Sequence, residues 1–112
     1  MTTSTRSHFD VAKPNTKAAE RRHMRHVAEQ GCLVCDSPAT LHHVTSDGHK
    51  RITRSHWLVV PLCPRHHLIQ HGPRESVEAL GHAGFTRVHD IDLLHRAKLM
   101  RDTSPHWSGH AD

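Results

Sequence analysis

The hydrophobic and polar positions of the chain predict a short series of helices and strands between polar ends. Residues 1–14 are polar and without periodicity, so we predict a mobile arm there. Residues 17–30 contain no helix breaker, and they lie between the capping residue Thr16 and Gly31. Ser or Thr before a helix and Gly after it are the usual boundary residues, so this pattern predicts a first helix.

Two segments rich in Thr, Val, Leu and Trp follow and predict a hairpin. They cover residues 40–45 and 55–60, and Asp47 and Gly48 between them provide turn chemistry. Trp57 in the second segment is predicted to be a core residue rather than a platform for stacking bases. The long tip of this hairpin carries the basic residues Lys50, Arg51 and Arg54. A flexible basic loop of this kind could meet phosphate groups.

The C-terminal half has the signals of three short helices before a polar tail. The predicted helices cover residues 64–71, 74–80 and 91–101. Pro64 suits the first position of a helix and Gly72 the position after its end. Leu93 and Ala97 give the last helix a core face at i, i+4 spacing. Residues 102–112 contain turn residues without a period, and we predict a tail there.

The composition indicates that apolar burial alone does not hold this fold. Hydrophobic residues make up only 35% of the 112 residues, whereas 15 are histidine and 3 are cysteine. A small, odd number of cysteines is a poor disulfide framework but suits a mixed Cys/His metal site. The net charge of +4 favours a polyanionic partner.

The chain also lacks the apolar segments that membranes and secretion require. Its longest apolar run, residues 57–62, is far shorter than the roughly 20 residues of a membrane-spanning helix. The first residues lack the apolar stretch of a secretory signal. We therefore expect no membrane partner and a reducing, cytoplasmic location.

Two pairs of residues have the spacing of a zinc site. Cys32 and Cys35 form a Cys-x2-Cys pair, and Cys63 and His66 form a Cys-x2-His pair. Four thiolate and imidazole ligands suit tetrahedral Zn²⁺, and each pair can present two donors to the same side of the ion. We predict a structural zinc that supplies the stabilisation missing from the small core.

The remaining paired histidines indicate a second metal site. Neighbouring side chains on a helix diverge by about 100°, so His67 faces away from the ion that His66 holds. His71 lies four residues after His67, a spacing at which two imidazoles can bind one metal. His42 and His43 end the first predicted strand, from where the hairpin could place them over this helix. The other histidines are predicted surface residues: His8, His23, His26, His49, His82, His89, His95, His106 and His110.

These motifs together resemble the HNH, or ββα-metal (His-Me finger), nucleases that carry a structural zinc. Pro-Leu-Cys-x2-His-His is particularly similar to small phage-borne HNH proteins of the recombination-enhancement type. The likeness covers residues 31–72, and a weaker one covers the closing helix that follows residues 89–92. It implies an α+β fold with a zinc-stapled ββα-metal core and flanking N-terminal and C-terminal helices, in a single domain over residues 15–101.

The resemblance also implies a function and a role for each site residue. The implied activity is metal-dependent hydrolysis of DNA phosphodiester bonds with low sequence specificity, in the cytoplasm of a bacterial or phage-infected host cell. His43 would be the general base, and one divalent cation (Mg²⁺, Mn²⁺, Ni²⁺, Co²⁺ or Zn²⁺) would be held by His42, His67 and His71. Structural zinc would be held by Cys32, Cys35, Cys63 and His66. DNA phosphates would be contacted by Lys50, Arg51, Arg54 and Arg65.

Two features of the chain depart from the family and leave other functions open. Leu58 stands where the family usually has Asn, so His56, Ser55 or Asp47 would have to take over the orienting role. Neighbouring strand residues point to opposite faces, so the two hairpin histidines share a site only if the strand twists or bulges. The alternatives are a catalytically inactive, zinc-stabilised nucleic-acid-binding module and an HNH factor in phage DNA packaging.

Overall fold

The computed structural model describes residues 16–44 and 55–108. This part of the chain forms four helices and one two-stranded antiparallel sheet. In chain order the elements are α1 (Lys17–Ala28), β1 (Thr40–His43), β2 (Val59–Leu62), α2 (Pro64–His67), α3 (Val77–His89) and α4 (Leu93–Thr103). The predicted α+β class is confirmed. No helix in the described ranges is long and apolar enough to cross a membrane.

Helix α1 begins directly after its predicted cap and ends at Ala28, two residues before the predicted end. The Thr16 hydroxyl accepts a hydrogen bond from Ala19 N–H at 3.2 Å. After the helix, Gly31 has a φ of 81°, a left-handed conformation that glycine adopts readily. The buried residues Ala19, His23 and Val27 lie four positions apart, so they form the face that packs against the sheet.

Strand β2 starts and ends later than the predicted segment 55–60. The carbonyl of Leu58 accepts a hydrogen bond from Val44 N–H at 2.9 Å. Hydrogen-bonded pairs alternate along an antiparallel ladder, so Pro61 falls at a position that needs no N–H toward β1. The Pro61 carbonyl instead accepts from Leu33 N–H at 3.0 Å. The prediction stopped the strand before this proline because proline usually ends a strand.

Helix α2 is half as long as predicted. It begins at Pro64, but Leu68 is extended (φ −109°, ψ 135°), so the helix ends at His67. The predicted continuation to residue 71 is wrong, because the chain there turns back onto α2. A Cβ atom at Gly72 would lie 1.8 Å from the carbonyl oxygen of Arg65, so only glycine fits this approach.

The next two helices begin later than their predicted starts. Ser76 caps α3 by accepting a hydrogen bond from Ala79 N–H at 3.2 Å, and the helix passes a kink at Gly81 instead of ending there. Asp92 caps α4 through His95 N–H at 3.1 Å. Asp90, which directly precedes the predicted helix 91–101, has a φ of 58° and ends α3.

The core joins strand β2, the residue after β1, the last two helices and two of the cysteines. Its buried members are Cys32, Val44, Leu58, Val60, Leu62, Cys63, Val77, Phe85, Ile91, Leu93 and Ala97. Trp57 is also buried, which confirms it as a core residue, and its ring lies 4.8 Å from that of Trp107. The predicted tail 102–112 is therefore partly structured, because residues 102 and 103 belong to α4 and Trp107 packs on Trp57. Residues 109–112 lie outside the described residues.

Candidate metal centres

The four residues predicted to hold zinc converge on one point. The ligand atoms of Cys32, Cys35, Cys63 and His66 all lie within 4.8 Å of one another. The Sγ atoms of Cys35 and Cys63 are 3.7 Å apart, and His66 Nδ1 lies 3.6 Å from Cys32 Sγ. Tetrahedral zinc, with bonds of about 2.3 Å to sulfur and about 2.0 Å to nitrogen, separates its ligand atoms by about 3.5–3.8 Å. This Cys3His cluster therefore fits a zinc ion.

The first two ligands of the Cys3His cluster lie on a tight turn after α1. The N–H of Cys32 donates to Ser37 O at 2.8 Å, and Asp36 N–H donates back to Cys32 O at 2.9 Å. Val34 N–H points at Cys32 Sγ from 3.4 Å. A main-chain N–H near a thiolate sulfur orients it, as outer contacts of metal ligands generally do.

The local environment gives the cluster's ligand groups different pKa values. The Ser37 hydroxyl, 3.3 Å from Cys35 Sγ, lowers the pKa of this exposed thiol to about 7. Burial raises the pKa of Cys63. Burial and then the neighbouring His89 lower the pKa of His66, which keeps its imidazole neutral. Thiolate and neutral imidazole are the forms that bind a metal, so a bound cation would have to ionise Cys63 itself.

A second group of histidines surrounds His42 on β1. The centroid of its ring lies 5.1 Å from that of His67 and 5.3 Å from that of His82. The Nε2 atoms of His42 and His82 are 3.0 Å apart. Burial and then the neighbouring imidazoles lower the pKa of His42 to about 4, and burial lowers the pKa of both His67 and His82. These three rings are thus neutral near pH 7.

His71 does not share a helix face with His67. His71 is exposed and lies beyond the extended residue Leu68, so the shared helix face predicted for His67 and His71 does not form. In the described residues, the rings that contact His42 belong to His67 and His82. The i, i+4 spacing brings two side chains to one face only within a continuous helix, and α2 ends at His67.

A threonine fixes the tautomer of His67. Thr40 Oγ1 donates its only hydrogen to Leu62 O at 2.8 Å, and it lies 3.0 Å from His67 Nδ1. A hydroxyl that has already donated can only accept, so His67 Nδ1 must be the donor. The other ring nitrogen, Nε2, then keeps its lone pair for a metal ion.

His43 contacts a different partner from its neighbour His42. Its Nε2 atom lies 3.0 Å from His56 Nδ1, and the two rings meet at 72°. Burial and then the charge of His56 lower the pKa of His43. His56 is one of the three candidates for the orienting role; of the other two, Asp47 lies outside the described residues.

The predicted DNA-binding residues are only partly described. Lys50, Arg51 and Arg54 lie outside the described residues. Arg65 is exposed on α2, and its Nε lies 3.3 Å from Glu75 Oε1. Its contact with DNA stays a prediction.

Sequence reasoning missed two histidines that contact metal-ligand candidates. His82 was predicted at the surface, and no spacing to another histidine marks it as a partner of His42. His89 was also placed at the surface, yet its ring lies 5.3 Å from that of His66 and 4.4 Å from that of Phe85. His89 Nε2 is 2.8 Å from the carbonyl oxygen of Glu75, which anchors it beside the Cys3His cluster.

Comparison with known proteins gives no further identification. No family model matches the chain, and no curated protein and no solved structure matches it either. A function for the chain therefore has to rest on the chemistry of its own residues.

Proposed function

We propose that the chain is a metal-dependent HNH-type endonuclease that hydrolyses DNA phosphodiester bonds with low sequence specificity. The observation that supports this most is the meeting of β1 and α2, which places the rings of His42 and His67 5.1 Å apart beside the Cys3His cluster. His43 follows directly on the same strand, and, besides burial and the charge of His56, the charge of nearby His67 lowers the pKa of His43. A base next to a cation site is the arrangement that phosphodiester hydrolysis needs.

In this proposal His43 is the general base. Its Nε2–H group donates a hydrogen bond to Nδ1 of His56, 3.0 Å away. This hydrogen bond leaves the lone pair of His43 Nδ1 free to take a proton from water. His56 thus serves as the positioning residue and takes over the orienting role that the family gives to Asn.

The cation of this proposal is held by His42 and His67 with a further ligand. A bound divalent cation supplies charge compensation at the scissile phosphate and the leaving oxygen. Imidazole ligands favour Mn²⁺, Co²⁺, Ni²⁺ or Zn²⁺ over Mg²⁺, which prefers oxygen donors. The Thr40 hydroxyl holds His67 in the tautomer that leaves Nε2 free.

The structural zinc and the basic residues have supporting roles in this proposal. The Cys3His cluster ties the turn after α1 to the start of α2, and α2 carries His67. DNA is the proposed partner because the net charge is +4 and the basic residues Lys50, Arg51, Arg54 and Arg65 can meet phosphates.

Plasmid nicking tests the proposal. Zinc-loaded protein is incubated with supercoiled plasmid and Mg²⁺, Mn²⁺, Co²⁺ or Ni²⁺ in turn, and we expect nicked product with at least one of them. His43→Ala should lower the rate by about 10²–10⁴-fold, the usual contribution of a general base, with zinc content unchanged. His95→Ala, at an exposed position on α4, is the matched control and should cleave at the wild-type rate.

The outcomes separate the nuclease from its main alternative. Absence of nicking with every metal, or full activity in His43→Ala, would contradict the proposal. The second candidate is a zinc-stabilised nucleic-acid-binding module without catalysis. It is favoured by Leu58, a buried apolar residue at the position where the family has a polar Asn. That module would bind DNA in a salt-sensitive manner and hold one metal ion per chain.

A further inference from the structure

We propose that His82, on α3, is a ligand of the second metal ion together with His42 and His67, in the place that sequence spacing gives to His71. The inference rests on the proposed function, which puts a divalent cation beside His42. His82 lies outside the segment that resembles the HNH motif, so this ligand would come from the C-terminal half of the domain.

The distance between His42 and His82 fits two ligands of one ion. Their Nε2 atoms are 3.0 Å apart and their rings cross at 88°. Two nitrogens that each lie about 2.0–2.1 Å from one metal, at angles from octahedral to tetrahedral, are about 2.8–3.4 Å apart. The pair is therefore already at ligand spacing.

The backbone next to His82 is shaped by glycine. Gly81 has φ 72° and ψ 170°, a conformation that is essentially restricted to glycine, and it kinks α3 directly before His82. A Cβ atom at Gly81 would meet no other atom within 4 Å, so the need for glycine is conformational and not steric. The kink sets the direction of the helical segment that begins with His82.

His67 completes the proposed site with its free Nε2. In the described residues, the group placed to hold a metal ion as it stands is the Cys3His cluster, so binding by the three histidines requires His67 to bring its Nε2 toward the His42–His82 pair. Glu78 near His67 and Asp92 near His82 add negative charge that favours a cation. His71 is exposed and follows the break in α2.

Calorimetry on the zinc-loaded, tag-free chain tests this assignment. Ni²⁺ is titrated into protein that already holds one zinc, and we expect the wild type to bind one further ion. His82→Ala should weaken this binding at least tenfold. His82→Gln, which can still hydrogen-bond to His42 but is a poor ligand, should weaken it as much. His71→Ala and His95→Ala should bind Ni²⁺ like the wild type, and thermal melting checks that each variant is folded.

Each outcome bears on the assignment. Wild-type Ni²⁺ binding by His82→Gln would show that the 3.0 Å contact is a hydrogen bond only, and it would overturn the proposal. Loss of the ion in His71→Ala but not in His82→Ala would also overturn it, as would a wild type that binds no second ion. A wild type that binds Ni²⁺ through His82 yet nicks no DNA would contradict the nuclease and leave the ligand assignment intact.

Discussion

His23 is a fully buried histidine whose charge the fold does not accommodate. Its exposed fraction is 0%, and neither ring nitrogen has a hydrogen-bond partner in the described residues. The main chain of Trp57 lies nearby without good hydrogen-bond geometry, and the two rings are 5.0 Å apart. Burial, and to a lesser extent the neighbouring His26, His106 and Arg101, lower the pKa of His23 from 6.5 to about 4. The folded chain therefore favours the neutral ring.

This pKa difference predicts a pH-dependent stability that one substitution removes. Between pH 6.5 and pH 4 the unfolded chain binds more protons at His23 than the folded chain, so stability falls as the pH falls. At pH 5 the loss is about 2 kcal/mol. We expect His23→Leu to gain about this much relative to wild type when the pH is lowered from 7.5 to 5.

Urea denaturation of both zinc-loaded proteins at pH 7.5, 6 and 5 measures the gain of His23→Leu. The comparison is made at each pH separately, because the two proteins have the same metal ligands and lose them alike. A stability difference that stays constant between pH 7.5 and 5 would exclude His23 as the source.

At the residue scale, the sequence predicts ligands that are marked by their spacing, but not residues that meet only through tertiary packing. Cys32 and Cys63 were predictable because their pair spacings encode the geometry of zinc. The prediction of His23 at the surface is wrong, although its burial had a signal, since His23 lies between Ala19 and Val27 on one helix face. His82 had none, because its contact with His42 depends on how α3 folds back on β1.

Short helix α2 depends on a close approach by the turn that follows it. The Arg65 carbonyl would be 1.8 Å from a Cβ at Gly72, and Gly72 N–H donates to Leu68 O at 2.9 Å. The Cβ atom is fixed to the backbone of residue 72 and the oxygen belongs to the backbone of Arg65, so no flexible side chain can move to relieve the clash. Any side chain at Gly72 must therefore displace α2, which carries one ligand of the Cys3His cluster and His67.

Gly72→Ala is accordingly expected to destabilise the protein and weaken its zinc site. A clash that shifts backbone costs typically 1–3 kcal/mol, so we expect a loss of at least about 2 kcal/mol. Thermal melting of the zinc-loaded variant, with zinc content measured in parallel, provides the readout. Gln70→Ala, at an exposed position of the same turn, is the control and should remain within about 0.5 kcal/mol of wild type. Wild-type melting by Gly72→Ala would show that α2 is not held by this contact.

At the element scale, the types of the elements were predictable and several boundaries were not. Helix α1 follows its cap and its final glycine closely. The misplaced boundaries occur where tertiary contacts override local signals. Pro61 stays in β2 because a neighbouring turn uses its carbonyl, Leu68 leaves the helix where the chain turns back, and α3 continues beyond Gly81 with a kink. None of these contacts is visible in a window of local sequence.

For the whole molecule, the zinc site and the hydrophobic core form one unit. Two of the proposed zinc ligands, Cys32 and Cys63, belong to the core cluster itself. The α+β class and the order of the elements were predictable from the sequence. So was the need for a stabilising interaction besides the hydrophobic core, since only 35% of the residues are hydrophobic. The HNH identity of the fold remains a prediction. What the structure adds is that loss of the metal would act directly on the core.

Removal of one thiolate should therefore unfold the chain. Structural zinc contributes roughly 10–16 kcal/mol of apparent binding free energy in small zinc domains, whereas a whole domain is stable by only about 5–15 kcal/mol. Cys63→Ser leaves a buried position with a weaker ligand, so we expect loss of zinc and of the helical circular dichroism signal at 25 °C. Chelation of zinc from the wild type should have the same effect, and added zinc should restore the signal in the wild type but not in the variant. A Cys63→Ser protein that melts at the wild-type temperature would show that the core holds the fold without the metal.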